Sequence, residues 1–296
     1  MLASNHSERP TMDPLKISIV TPSLNAAATL ERTITSVLGQ RYARLDYILI
    51  DGGSQDGTAE ILRRYRRFFV HTESAPGEPR AALAARGFAR ASGDIMAWID
   101  DSVMLAPSSL DFVAWYFKRH PTIDMIYGHR LVVDSQDRAI GYEILPAITA
   151  RTARRYPILP QETCFWRRSL YERCGGIDPR FEAAAAYDLQ VRLLAGGRVR
   201  RVDRFLTAKR REALAQPEAQ MSETFRQEAR HIQAVHGMKE RPWSAFAESR
   251  LRDAAIWRGI RFARDGQYRP GNLPGLGWSY DRLWGGTLHV PRENGI

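Results

Sequence analysis

Cysteine is scarce in this chain: of 296 residues only Cys164 and Cys174 are cysteines, and neither has a His or a second Cys at metal-ligand spacing. A disulfide framework and a zinc ribbon are thereby disfavoured, and two buried thiols are the expectation. Long apolar runs are missing too. No segment reaches the roughly 18 to 20 apolar residues that cross a bilayer, and residues 1–14 lack the apolar centre of a secretory signal. The chain therefore reads as cytoplasmic, with a flexible lead over residues 1–15. No zinc-finger spacing, aromatic RNP-like strand or basic zipper occurs, so nucleic acid is not an expected partner. What the chain has is enough apolar material for a large core, 44% hydrophobic residues, together with a formal charge of +10. Arginine is densest between Arg151 and Arg211, as in Arg154-Arg155, Arg167-Arg168, Arg200-Arg201 and Arg210-Arg211. Such a balance suits solvated basic faces or an anionic partner such as a phosphorylated small molecule.

Residues 16–127 alternate strand and helix patterns, the sequence sign of an α/β fold with a mostly parallel, Rossmann-like sheet flanked by helices. Strands are expected at 16–21, 47–50, 68–71, 95–100 and 124–127. Between them, apolar residues at helical spacing predict helices over 26–38, 58–65, 80–91 and 107–119. Beyond Gly128 the pattern changes to an antiparallel hairpin, 130–134 and 139–143, then short helices at 168–174 and 183–195, each stopped by a glycine pair, and a closing strand from 199 to 205. The expected organisation is one domain over residues 16–215, a helical appendage over 216–268 and an extended tail over 269–296.

Chemistry concentrates at three strand ends. The run that follows Asp94, from Ile95 to Ile99, is apolar and closes on Asp100 and Asp101, carboxylates placed where open α/β sheets collect ligands. The second strand ends on Asp51-Gly52-Gly53-Ser54, where glycines let backbone approach a ligand and Asp51 offers acceptors to a nucleobase or ribose. The first ends on Thr21-Pro22-Ser23-Leu24-Asn25. Taken singly, each is equally readable as a turn. Together they outline one pocket.

The order of these blocks resembles the inverting family 2 glycosyltransferases, whose fold is GT-A. The blocks are Ser18-Ile19-Val20-Thr21-Pro22-Ser23-Leu24-Asn25, Ile50-Asp51-Gly52-Gly53-Ser54, Gly87-Phe88-Ala89-Arg90-Ala91-Ser92-Gly93-Asp94, Pro160-Gln161-Glu162-Thr163 and Tyr187-Asp188-Leu189. The resemblance implies transfer of a sugar from a nucleotide-diphosphate donor to an acceptor hydroxyl with inversion, in surface or exopolysaccharide synthesis. It implies nucleotide binding by Thr21, Pro22, Asn25, Asp51, Gly53 and Ser54. It further implies Mg²⁺ or Mn²⁺ at the acidic strand end, here Asp100 and Asp101, and a carboxylate base opposite the donor. The acceptor would be a saccharide or a lipid-linked one.

Several polar positions of the family pattern are replaced. Ser102 and Val103 stand where its acids fall, Ala82 and Ala85 replace an Asp and an Asn, and Ala186 occupies the base position. In an extended strand Asp100 and Ser102 share a face while Asp101 looks away, unless a local turn brings it round. Asp188 is the remaining base candidate; two residues on from Ala186 in a helix, it is also readable as a structural carboxylate. Two functions follow: an atypical active transferase, or an impaired one that binds a nucleotide or a partner protein. Trp243, Trp257, Trp278 and Trp284 among C-terminal arginines suit either a membrane face or packing on the domain or a second subunit.

Overall fold

The computed structural model describes residues 14–143, 145, 148, 159–210 and 222–237. The basic stretch at 151–155, the part of the expected helical appendage from 238 to 268 and the tail over 269–296 lie outside them. Nine strands form one sheet among the described residues, in the order β3-β2-β1-β4-β8-β6-β9-β5, with β7 paired to β6. The elements are β1 (Ile17–Ser23), α1 (Leu30–Leu38), β2 (Leu45–Asp51), α2 (Thr58–Tyr65), β3 (His71–Ser74), α3 (Arg80–Arg90), β4 (Ile95–Trp98) and β5 (Val103–Leu105). They continue through α4 (Ser109–Arg119), β6 (Met125–Val133), β7 (Ala139–Glu143), β8 (Cys164–Arg167), α5 (Arg168–Arg173), α6 (Ala185–Gly196), β9 (Val199–Arg210) and α7 (Glu223–Val235).

The first four strands of that order pair in parallel, as the alternating pattern predicts. β8 then inserts antiparallel between β4 and β6, and the sheet becomes mixed. Parity along the central strands assigns the two faces. Ile17, Ile19, Tyr47, Leu49, Ile95 and Ala97 pack in one core with α1, α2 and α4. Val20, Ile48, Ile50, Met96 and Trp98 pack in the other with α3, α5 and α6. Being covered on both sides, β1 has no exposed residue, so the adjacent Ile19 and Val20 are both core positions, one in each layer.

A polar knot holds the N-terminal ends of these strands in register. Asp46 Oδ2 accepts from Ser18 Oγ at 2.8 Å and from both the backbone N–H and the hydroxyl of Ser92 at 2.9 Å. Gly93 N–H donates to Ser18 Oγ at 2.8 Å, and a Cβ at Gly93 would come within 2.5 Å of Ser18 N. The Ser92-Gly93-Asp94 block therefore serves the sheet, at the end of β4 away from Asp100.

Six elements depart from the sequence expectations. β3 is His71–Ser74 rather than 68–71, because Arg66–Phe68 closes a 3₁₀ turn first. β6 runs unbroken through both expected segments, and β9 extends to Arg210. β5 and β8, of three and four residues, were not expected as strands. Most consequential is β4, which stops at Trp98, so that Asp100 and Asp101 lie on the turn beyond it.

Candidate active site

The parallel strands β2, β1 and β4 deliver their carboxyl ends to one edge, where the strand order reverses direction about β1. The loop after β2 is built by Asp51. Its Oδ2 accepts from Gly53 N–H at 3.1 Å and Ser54 N–H at 2.9 Å, and its Oδ1 from Ser54 Oγ at 2.5 Å. Gly53 sits at φ +88°, and a Cβ there would come within 2.8 Å of Pro76 Cα. The loop after β1 is fastened to this one. Asn25, at φ +48°, donates its N–H to Ser54 Oγ at 2.8 Å and accepts from Gln55 N–H through its side-chain oxygen at 2.9 Å. A cleft of about 470 Å³ opens beside the joined loops, lined by Asp51, Gly53, Ser54, Arg63, Arg66 and Pro76 among others.

Thr21 is placed differently. It is fully buried, with Oγ1 3.4 Å from the Tyr47 hydroxyl inside the sheet. The Pro22 carbonyl faces α3 and accepts from Arg80 Nη1 at 2.9 Å.

Arg80, the first residue of α3, organises the acidic turn. Its Nη2 lies 2.8 Å from Asp101 Oδ2 and its Nη1 3.3 Å from Asp100 Oδ1. The turn after β4 thus brings both carboxylates to one guanidinium, so the strand geometry that turned Asp101 away does not apply. Asp100 is held further by Trp98 Nε1 at 3.0 Å and Gln161 Nε2 at 2.9 Å, and Asp101 by Leu24 N–H at 3.3 Å. Burial pushes the Asp101 carboxyl above its usual range, with Asp100 adding and Arg80 opposing. Burial acts against the Arg80 charge, yet the two carboxylates raise its pKa overall.

Mg²⁺ and Mn²⁺ at such sites need only one or two carboxylates beside the substrate phosphates. Among the described residues no three His, Cys, Asp or Glu side chains converge, so Asp100 and Asp101 are the pair that would have to hold the ion, and as they stand a guanidinium already occupies them. The two carboxylates that do converge accept from Arg80, Trp98, Gln161 and Leu24, and a cation at their shared face would have to displace the guanidinium.

Asp188 lies in the first turn of α6 and is buried. Its Oδ2 accepts from Nε of Arg192 at 3.0 Å and also from Nη2 of the same side chain. His236 Nε2 stands 3.9 Å from its other oxygen. Arg192 also donates to the Gly176 carbonyl at 2.6 Å, so this pair ties α6 to the glycine turn after α5. The segment before α6 is gathered by a residue that the sequence pattern did not single out: Glu228 of α7 accepts from the N–H groups of Glu182, Ala183 and Ala184 at 2.7 to 2.9 Å.

Arg80 and Trp98 were also missed by sequence reasoning. Gln161 lies in a matched block, but nothing in its spacing signals a partner. Contacts across such distances leave no periodicity, and only Pro79 before Arg80 marks a helix start.

The chain belongs to glycosyl transferase family 2, whose model matches residues 18–174. Among curated relatives it is 24% identical over 183 residues to an uncharacterized glycosyltransferase of Nostoc sp., covering 56% of this chain and 55% of that one. It is 28% identical over 185 residues to an uncharacterized glycosyltransferase of Mycobacterium tuberculosis, covering 60% and 68%. A PGL/p-HBAD biosynthesis glycosyltransferase of Mycobacterium bovis is 27% identical over 182 residues, covering 59% and 68%. The match thus spans about half of the Nostoc relative's length. Among solved structures, S. aureus TarS 1–349 in complex with UDP-GlcNAc aligns with a TM-score of 0.60 at 15% identity, covering 74% of this chain and 65% of that one. The fold is therefore of GT-A type. No helix among the described residues is long and apolar enough to cross a membrane.

Proposed function

We propose that the protein binds a nucleotide-diphosphate sugar in the cleft beside the Asp51 loop and transfers the sugar, with inversion, to an acceptor hydroxyl in glycan synthesis. The observation that carries this reading is the fastening of two strand-end loops to each other, through Asn25, Ser54 and Gln55, beside that cleft. Family membership and the UDP and UDP-GlcNAc complexes of the TarS neighbours support it. Asp51, Gly53 and Ser54 shape the nucleoside side. Asn25 and the backbone of Pro22 join the cleft to the acidic turn. Thr21, being buried, acts by keeping β1 against β2.

In the transfer, the acceptor oxygen forms a bond to the anomeric carbon as the bond to the diphosphate oxygen breaks. The acceptor proton passes to a carboxylate. Asp188 is the candidate from the residue pattern. Its burial and its ion pair with Arg192 favour a second reading, in which the chain holds the donor but transfers poorly. Saturation-transfer NMR with a panel of UDP-, GDP- and dTDP-sugars tests the donor site. Signal from nucleoside protons of at least one member, competed by the matching diphosphate, is expected. No signal from any member contradicts the reading.

A further inference from the structure

The acidic turn already contains a cation. A guanidinium offers five N–H donors in a planar fork that matches carboxylate and phosphate oxygens. Arg80 spends three of them within the protein: Nη1 on the Pro22 carbonyl and on Asp100, and Nη2 on Asp101. Its Nε–H and its second Nη2–H have no partner among the described residues. The Arg80 side chain is 41% exposed while those of Asp100 and Asp101 are 14% and 8% exposed, so the carboxylates form the buried floor and Arg80 is the member of the cluster that reaches solvent.

We propose that Arg80 takes the place of the divalent cation at this site and receives the diphosphate of the donor directly. The inference rests on the nucleotide-diphosphate reading. Asp100 and Asp101 orient the guanidinium; Trp98, Gln161 and the Leu24 N–H in turn fix the carboxylates. The free edge of the fork donates to the diphosphate oxygens and stabilises the charge that grows on the leaving group. One guanidinium neutralises only one of two carboxylates. Arg63 and Arg66, which line the cleft beside the Asp51 loop, add positive charge on the donor's side. Replacement of an acid by Ser102 beside this turn is then consistent with the remaining residues: a site with its own fixed cation has no use for a further carboxylate.

Two measurements on the full chain test this. In calorimetric titration with UDP, the wild type is expected to bind with the same affinity, within about twofold, in EDTA and in Mn²⁺. Arg80→Ala should bind at least about tenfold more weakly in EDTA, equivalent to about 1.4 kcal/mol, and recover when Mn²⁺ occupies the freed carboxylates. Arg80→Lys, which keeps the charge and guards against a folding defect, should fall between them. Wild-type binding that is lost in EDTA overturns the proposal, as does an Arg80→Ala protein that binds as tightly as wild type in EDTA. The second measurement needs no nucleotide. In Mn²⁺ titrations followed by electron paramagnetic resonance, the wild type should show no saturable site that Asp101→Asn removes, whereas Arg80→Ala should gain one. A wild-type Mn²⁺ site abolished by Asp101→Asn overturns the proposal even if UDP does not bind. Absence of all nucleotide binding instead defeats the donor reading and leaves the Mn²⁺ comparison to decide the place of Arg80.

Discussion

Arg80 Nη2 lies 2.8 Å from Asp101 Oδ2, joining the first residue of α3 to the turn after β4. Removing either partner leaves a buried polar group short of a hydrogen bond, which costs about 1 to 3 kcal/mol. Arg80→Ala should therefore unfold at lower denaturant concentration than wild type. An unchanged midpoint would show that the pair does not hold the turn.

The loop after β2 depends on a backbone conformation that side chains rarely adopt. Gly53→Ala places a Cβ within 2.8 Å of Pro76 Cα at φ +88°. A cost of about 1 to 3 kcal/mol and weaker nucleotide binding are expected, read by chemical denaturation and calorimetry. Wild-type values for both would mean that the loop tolerates the shift.

Asp51→Ala removes the acceptor for Gly53 N–H, Ser54 N–H and Ser54 Oγ together. The loop should lose its shape and nucleotide affinity should fall by at least about tenfold, or 1.4 kcal/mol. Ser54→Ala, which removes only the hydroxyl contacts to Asp51 and Asn25, should have a smaller effect. If the two variants bind nucleotide as wild type does, the loop is not part of the donor site.

Glu162 gives a pH dependence. Burial alone would raise its carboxyl pKa, but the charges of Lys209 and Arg130 outweigh it and hold the value at about 2. The native state thus binds this proton less readily than the unfolded chain. The stabilisation is present above about pH 4.5, near the ordinary Glu value, and is lost as pH falls toward 2. Asp101, whose pKa is raised chiefly by burial, contributes in the opposite sense. Denaturation midpoints of wild type and Glu162→Gln should converge between about pH 4.5 and 2. Parallel curves over that range would contradict the assignment.

Asp188→Asn separates the two roles of that residue. With Arg192 and the Gly176 carbonyl held by the pair, the variant should melt at a lower temperature and bind nucleotide unchanged. A fall in kcat of several orders of magnitude with wild-type melting and KM would instead make Asp188 the base.

Much of this was legible in the sequence because it is periodic or local. The parallel core follows from apolar strands alternating with helices at 3.6-residue spacing, and the Asp51-Gly52-Gly53-Ser54 loop from glycine and short polar residues. β3 was displaced because Phe68, Phe69 and Val70 carry the apolar signal, whereas the edge strand is the polar sequence His71-Thr72-Glu73-Ser74. β5 and β8 are too short for any periodicity to register. At the site, Asp100 and Asp101 were located, but their relation to Arg80 was not. That relation depends on β4 ending at Trp98 and on a contact spanning some twenty residues, neither of which composition or spacing records.

The most direct test of the account is calorimetric titration of the wild-type chain with UDP in EDTA. The account predicts saturable one-to-one binding that Asp51→Ala weakens. Absence of binding to UDP, and to the other nucleoside diphosphates under the same conditions, with or without Mn²⁺, would contradict it.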